Sequence, residues 1–111
     1  MAGILEPLTI RNRTLKNRVV LPPIVVFWAE ENGEVSDRQV APYRRRARGG
    51  CGLIVVEATC VAPKGRLSAH QLGIWDDSQI SGLSRIAEAC RAEGAATLIQ
   101  IHHAGLSAPS D

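Results

Sequence analysis

Along this chain, short runs of β-prone apolar residues alternate with segments of helical period. Leu8-Thr9-Ile10-Arg11-Asn12-Arg13-Thr14-Leu15 sets polar turn residues between two β-prone stretches, which predicts a small hairpin ahead of the main fold. Val19-Val20-Leu21 reads as a first buried strand. It stops at Pro22-Pro23, because proline donates nothing to a sheet ladder and biases its predecessor to extended geometry. Ser36-Asp37-Arg38-Gln39 has the form of a capping box, so a helix is predicted from there toward Gly49. Pro42 conflicts with that helix. An interior proline removes a hydrogen bond and costs about 3 kcal/mol, so a kink or a later start is expected.

Gly52-Leu53-Ile54-Val55-Val56-Glu57-Ala58 is the clearest element, a β-branched run without polar alternation, as expected of a parallel strand covered on both faces. Ile80, Leu83, Ile86, Ala87 and Cys90 then recur at helical spacing, with Asp76 and Asp77 near the start and Gly94 as the stop. Ala95 to Ile101 supplies a third apolar strand. The order strand, helix, strand, helix, strand implies βαβ units and a parallel sheet, either open or closed as a barrel. No GxGxxG follows the first strand, which weakens a dinucleotide-binding reading, and no GxxxxGK[ST] phosphate loop is present.

Composition adds limits. With 111 residues, 45% hydrophobic and 22% charged, the chain is ordinary globular material of one domain at most. Net charge is +2, and Arg44, Arg45, Arg46 and Arg48 fall in one predicted helix without interleaved aromatics. They read as a solvated face, so no nucleic-acid partner is expected. No apolar run approaches the roughly 20 residues of a membrane span, and the N-terminus lacks a signal-peptide layout. A cytoplasmic protein without membrane partners is expected. Cys51, Cys60 and Cys90 show no CxxC or zinc-ligand spacing and read as buried, reduced thiols.

In a (β/α)8 barrel, chemistry sits at the C-terminal strand ends. Three groups follow the predicted strands: Pro22-Pro23-Ile24-Val25, Glu57-Ala58-Thr59, and Gln100-Ile101-His102-His103-Ala104-Gly105. The prolines either simply break the strand or make a rigid apolar floor for a flat ring. Ala58 and Thr59 offer accessible backbone groups to the edge of a heteroaromatic ligand. Gln100 donates and accepts through one amide, which suits an edge of alternating carbonyl and N–H groups, though plain surface polarity also accounts for it. His102 and His103 would point to opposite faces of a strand, which disfavours a shared metal. Glu57 stands open between a general base and a carboxylate satisfied by backbone donors.

Glu6-Pro7-Leu8-Thr9-Ile10, Leu15-Lys16-Asn17-Arg18, Pro22-Pro23, Tyr43-Arg44-Arg45-Arg46-Ala47-Arg48-Gly49-Gly50, Gly52 to Ala58, Gly65-Arg66, and Gln100 with His103-Ala104-Gly105 occur in an order that resembles the opening of the old yellow enzyme (NADH:flavin oxidoreductase) family. The resemblance implies the N-terminal part of a TIM barrel. It implies non-covalent FMN, NAD(P)H as reductant, and hydride transfer to the β-carbon of an activated alkene such as an enone. By position it puts Pro22, Pro23 and Ile24 under the flavin, Ala58 against it through backbone, and Gln100 on its pyrimidine edge. Ile24 stands where methionine or threonine is common, Val25 where one subgroup has a redox-tuning cysteine, and Leu106 where arginine usually follows His-Ala-Gly. Ala41-Pro42 replaces a more helix-compatible pair.

A TIM barrel needs about 250 residues, so residues 1–111 are expected to form an incomplete domain of about three strands and two helices. The family's substrate-gripping histidine or asparagine pair, its proton-donating tyrosine and its phosphate loops come later in the barrel. No catalytic residue is therefore assigned, and no turnover is expected of this chain alone. Two alternatives stand beside this reading. One is a non-catalytic partial barrel whose open sheet edges pair with another copy or chain; the other is a different α/β enzyme.

Overall fold

The computed structural model describes residues 3–110. Its order is β1 (Leu8–Ile10), β2 (Arg13–Leu15), β3 (Val20–Leu21), α1 (Asp37–Arg48), β4 (Leu53–Cys60), α2 (Ile80–Ala92) and β5 (Ala96–His102), with short 3₁₀ turns at Pro63–Gly65, Asp77–Gln79 and Gly105–Ser107. β1 and β2 form the antiparallel hairpin, pairing Leu8 with Leu15 and Ile10 with Arg13. β3, β4 and β5 form a parallel sheet in that spatial order.

The helices lie together on one face of the sheet. α1 buries Gln39, Val40, Tyr43 and Ala47, and α2 buries Gly82, Ile86, Ala89 and Cys90, each set following helical spacing. Between them and β4 lie Ile54, Val56 and Leu72, the first and last of these fully buried. Each such aliphatic side chain contributes roughly 1.5–3 kcal/mol by leaving water. Lys16 Nζ donates to the Glu93 carbonyl at 3.1 Å. The residues after the hairpin thus tie to the chain just before β5, at the end of the sheet opposite the long loops.

The capping box holds, with Gln39 Oε1 accepting from the Ser36 N–H at 2.9 Å. α1 starts at Asp37 and continues as one helix through Pro42, so the expected late start does not occur. The bond lost to proline would have ended on the carbonyl of Arg38, an exposed residue that water can reach. α2 ends in a Schellman motif: Gly94 at φ 84° donates to Arg91 O at 2.9 Å, and Ala95 donates to Cys90 O at 3.1 Å. Arg44, Arg45, Arg46 and Arg48 are exposed as expected. Arg48 pairs with Glu93 at 2.9 Å. All three cysteines are free; Cys60 and Cys90 are buried, but Cys51 is only half-buried.

Both strands extend beyond their predicted ends, and β4 carries an irregularity there. Val56 pairs with Ile99 and Thr59 with Ile101, so Glu57 and Ala58 together oppose the single residue Gln100. This two-against-one arrangement is a β-bulge. Ala58 and Gln100 therefore lie inside strands, not at their termini.

Candidate functional site

The loop after β3, residues 22–36, and the loop after β4, residues 61–79, dock on one another at the C-terminal ends of the strands. Ala29 and His70 join through backbone at 3.0 Å, Gly73 donates to Gly33 O at 2.9 Å, and Arg66 Nη1 donates to Glu31 O at 2.7 Å. Arg66 also stacks over the Trp75 ring at 5.1 Å. This braced collar is the rim that carries the candidate residues.

Pro22 is exposed, Pro23 half-buried and Ile24 62% exposed. Ala58 is buried at the bulge, and its carbonyl accepts from Gln71 Nε2 at 3.1 Å. Gln100, opposite the bulge, is exposed, and its carboxamide bonds no partner among the described residues. The sheet thus brings Ala58 and Gln100 together. Pro22 and Ile24 line a separate cavity of about 130 Å³, between the loop after β3 and α1, with Glu57 and Tyr43. Ala58 and Gln100 do not line that cavity.

Glu57, left open by sequence, is fully buried and satisfied. Its Oε2 accepts from the Val26 N–H at 3.2 Å, and its Oε1 from Tyr43 Oη at 3.0 Å and Gln39 Nε2 at 3.5 Å. The Tyr43 hydroxyl accepts in turn from the Glu57 N–H at 3.0 Å. Only one of these donors is backbone. Burial raises the carboxyl's pKa above its ordinary value of 4.5, against the lowering effect of its hydrogen bonds, and burial likewise pushes the Tyr43 hydroxyl up.

A raised carboxyl pKa means that folding shifts Glu57 toward its protonated form relative to the unfolded chain, because burial costs the carboxylate more than its three donors return. Its stabilising contribution is complete below the unfolded pKa and is lost as pH rises through the folded value. Urea denaturation of the unaltered chain and of Glu57→Gln across acid to neutral pH should show their difference moving against the unaltered chain above about 4.5. A pH-independent difference would contradict this account of Glu57.

Sequence reasoning missed Gln71. It is fully buried, accepts from the Leu67 N–H at 2.7 Å through Oε1, and reaches both Ala58 O and His102 Nδ1 at 3.1 Å through Nε2. The backbone donor on one side and the carbonyl on the other fix the amide's orientation. His102 Nδ1 is therefore the acceptor, and a neutral ring carries its proton on Nε2. His103 is engaged elsewhere: its Nδ1 accepts from the Gly105 N–H at 3.0 Å, and its ring closes on Gly65, where a Cβ would collide with it. The two histidines serve different contacts. A single glutamine between His70 and Leu72 in a loop gives no signal of such burial.

Two prolines without N–H groups and an exposed isoleucine offer apolar contact, while Gln100 offers an uncommitted donor and acceptor. A model of the NADH:flavin oxidoreductase / NADH oxidase family matches residues 3–111. An NADPH dehydrogenase of Halalkalibacterium halodurans is 43% identical over 103 residues, covering 92% of this chain and 30% of that protein. Among solved structures, a 2-naphthoyl-CoA reductase in complex with 2-naphthoyl-CoA superposes with a TM-score of 0.91 at 32% identity, over 96% of this chain and 16% of the other. Morphinone reductase does so with a TM-score of 0.86 at 31% identity, over 96% of this chain and 28% of its own. The chain spans about 30% of the length of the curated relatives it matches.

Proposed function

Because the chain belongs to the NADH:flavin oxidoreductase / NADH oxidase family, we propose that it supplies the floor and one edge of an FMN site in an NAD(P)H-dependent oxidoreductase of ene-reductase type. Its βαβαβ unit is part of the (β/α)8 barrel of that family. When bound, FMN would supply hydride transfer from NAD(P)H to an activated alkene such as an enone.

The chain's own residues would position that ring. Pro22, Pro23 and Ile24 would form its apolar floor, with proline φ angles fixed in advance. Gln100 would hold the pyrimidine edge, accepting from its N–H and donating to a carbonyl, with the bulged backbone at Ala58 beside it. Gln71 occupies the Ala58 carbonyl at 3.1 Å, so this approach falls to the rest of that backbone unit or to the carbonyl's second lone pair. The observation that carries the reading is Gln100, an unspent amide set directly opposite the bulge. The alkene, the choice between NADH and NADPH, and turnover itself are assigned to a longer barrel than these 111 residues; a cytoplasmic location accords with the reading.

Equilibrium dialysis of FMN against the chain and against Gln100→Leu tests it. One hydrogen-bonding group is worth about 1–1.5 kcal/mol, so the variant is expected to bind roughly tenfold more weakly. Equal binding by both would remove Gln100 from the site.

A second reading is favoured by the open sheet. β5 has no strand on its far side among the described residues, Leu98 and Ile101 on it are 58% and 66% exposed, and an apolar groove of about 540 Å³ runs between it and α2. On this reading the partial barrel associates through that edge with another copy or a complementing chain. Light scattering showing a monodisperse monomer at high concentration would count against it.

A further inference from the structure

The floor segment, residues 22–28, has no regular secondary structure. Its first two residues are prolines, so it can hold itself through few hydrogen bonds. The Val26 N–H donates to Glu57 Oε2 at 3.2 Å. Next along, Phe27 lies at φ 56°, the left-handed region that a bulky aromatic residue rarely adopts. Trp28 then packs under the Arg38 guanidinium at 4.6 Å, and Ala29 donates to His70 O at 3.0 Å. A backbone of this kind persists only where its surroundings over-determine it. From 22 to 28 the hydrogen bond that restrains it among the described residues is the one to Glu57.

Glu57 sits at the bulge beside Ala58, and its other oxygen is gripped by Tyr43 and Gln39 of α1. A carboxylate is suited to this post, because it only accepts and so serves three donors with two oxygens. We propose that Glu57 is a positioning residue for the flavin floor: it fixes the height and slope of residues 22–26 through Val26, with α1 fixing the carboxylate. The inference deepens the proposed FMN reading and rests on it.

Amide hydrogen exchange followed by NMR, together with FMN titration by fluorescence, tests the assignment on the unaltered chain, Glu57→Met and Glu57→Gln. Methionine matches the length but accepts nothing useful, whereas glutamine keeps one carbonyl for Val26. Exchange at Val26 and its neighbours in the floor is expected to rise about tenfold or more in the methionine variant, beyond any rise at Leu98 and Ile99 in β5, and to return most of the way with glutamine. FMN affinity should fall about tenfold with methionine and recover with glutamine. If Glu57→Met does not fold, Tyr43→Phe should give a smaller floor-selective rise. An equal rise at floor and β5, or an opened floor with unchanged FMN affinity, would overturn the positioning role. Absence of FMN binding even by the unaltered chain, with the floor still opening selectively, would instead remove the flavin reading on which the role depends.

Discussion

Replacing Gly52 with alanine should lower the thermal midpoint of this chain by more than about 10 °C. A Cβ at position 52 would lie 2.5 Å from Asn17 Oδ1 and 2.7 Å from the Asn17 backbone carbonyl, where no side-chain rotation relieves it. Asn17 cannot easily withdraw. Its Nδ2 donates to Gly50 O at 2.6 Å, and its Oδ1 accepts from the Val19 N–H at 3.1 Å. Gly52 itself donates to Val19 O at 2.9 Å and accepts from the Ala96 N–H at 3.0 Å, so it ties all three parallel strands at their starts. β3 pairs with β4 through only Val20 and Leu21, too short a ladder to absorb a displacement. Overpacking of this kind costs about 1–3 kcal/mol, and at roughly 4–8 °C per kcal/mol for a domain of this size the upper end gives the stated fall. A shift within about 2 °C of the unaltered chain would show that the Asn17 contact yields freely.

Gln71→Leu should cost about 3 kcal/mol in urea denaturation although it keeps nearly the same volume. The amide serves Leu67 N–H, Ala58 O and His102 Nδ1 from a position with no exposed surface. Leucine would leave these groups without their partner, and a buried group so abandoned costs roughly 1–3 kcal/mol. Leu67 lies at the surface and can turn to water, which limits the total. The loss is also local. Gln71 is the side chain that binds the bulged carbonyl to β5 and to the loop after β4, so amides around Thr59 and His102 should lose exchange protection before those of α1. A cost below about 1 kcal/mol would mean that water replaces the glutamine at the bulge.

What the sequence discloses and what it hides divide along the distance over which each feature is determined. β4 declares itself through its β-branched run, α1 through Ser36 and Gln39, and α2 through apolar period and Gly94, all of them signals within a few residues. The bulge leaves no such mark, because a register shift exists only relative to β5, some 40 residues on. Glu57 shows only as a carboxylate after an apolar run; its donors stand 14, 18 and 31 residues away. Gln71 looks like surface polarity until the loop folds over Ala58. The run Ile24 to Ala29 is as apolar as a strand, yet it forms none. Val26 spends its N–H on Glu57, and Phe27 turns into the left-handed region. Strand order puts residues 22–25, 57–59 and 100–105 toward one end of the sheet, and the family resemblance singles out residues 22–24, Ala58 and Gln100 among them as candidates. Their separation into a floor bordering a cavity and an edge opposite a bulge was not legible.

The most direct test of the central claim, that this rim holds the floor and pyrimidine edge of FMN, is an NMR titration of the isotopically labelled chain with FMN. The largest shifts are expected on the backbone amides of Ile24 and Ala58 and on the side-chain amide of Gln100. Shifts gathered instead on the exposed arginines of α1, or none up to millimolar FMN, would contradict that claim.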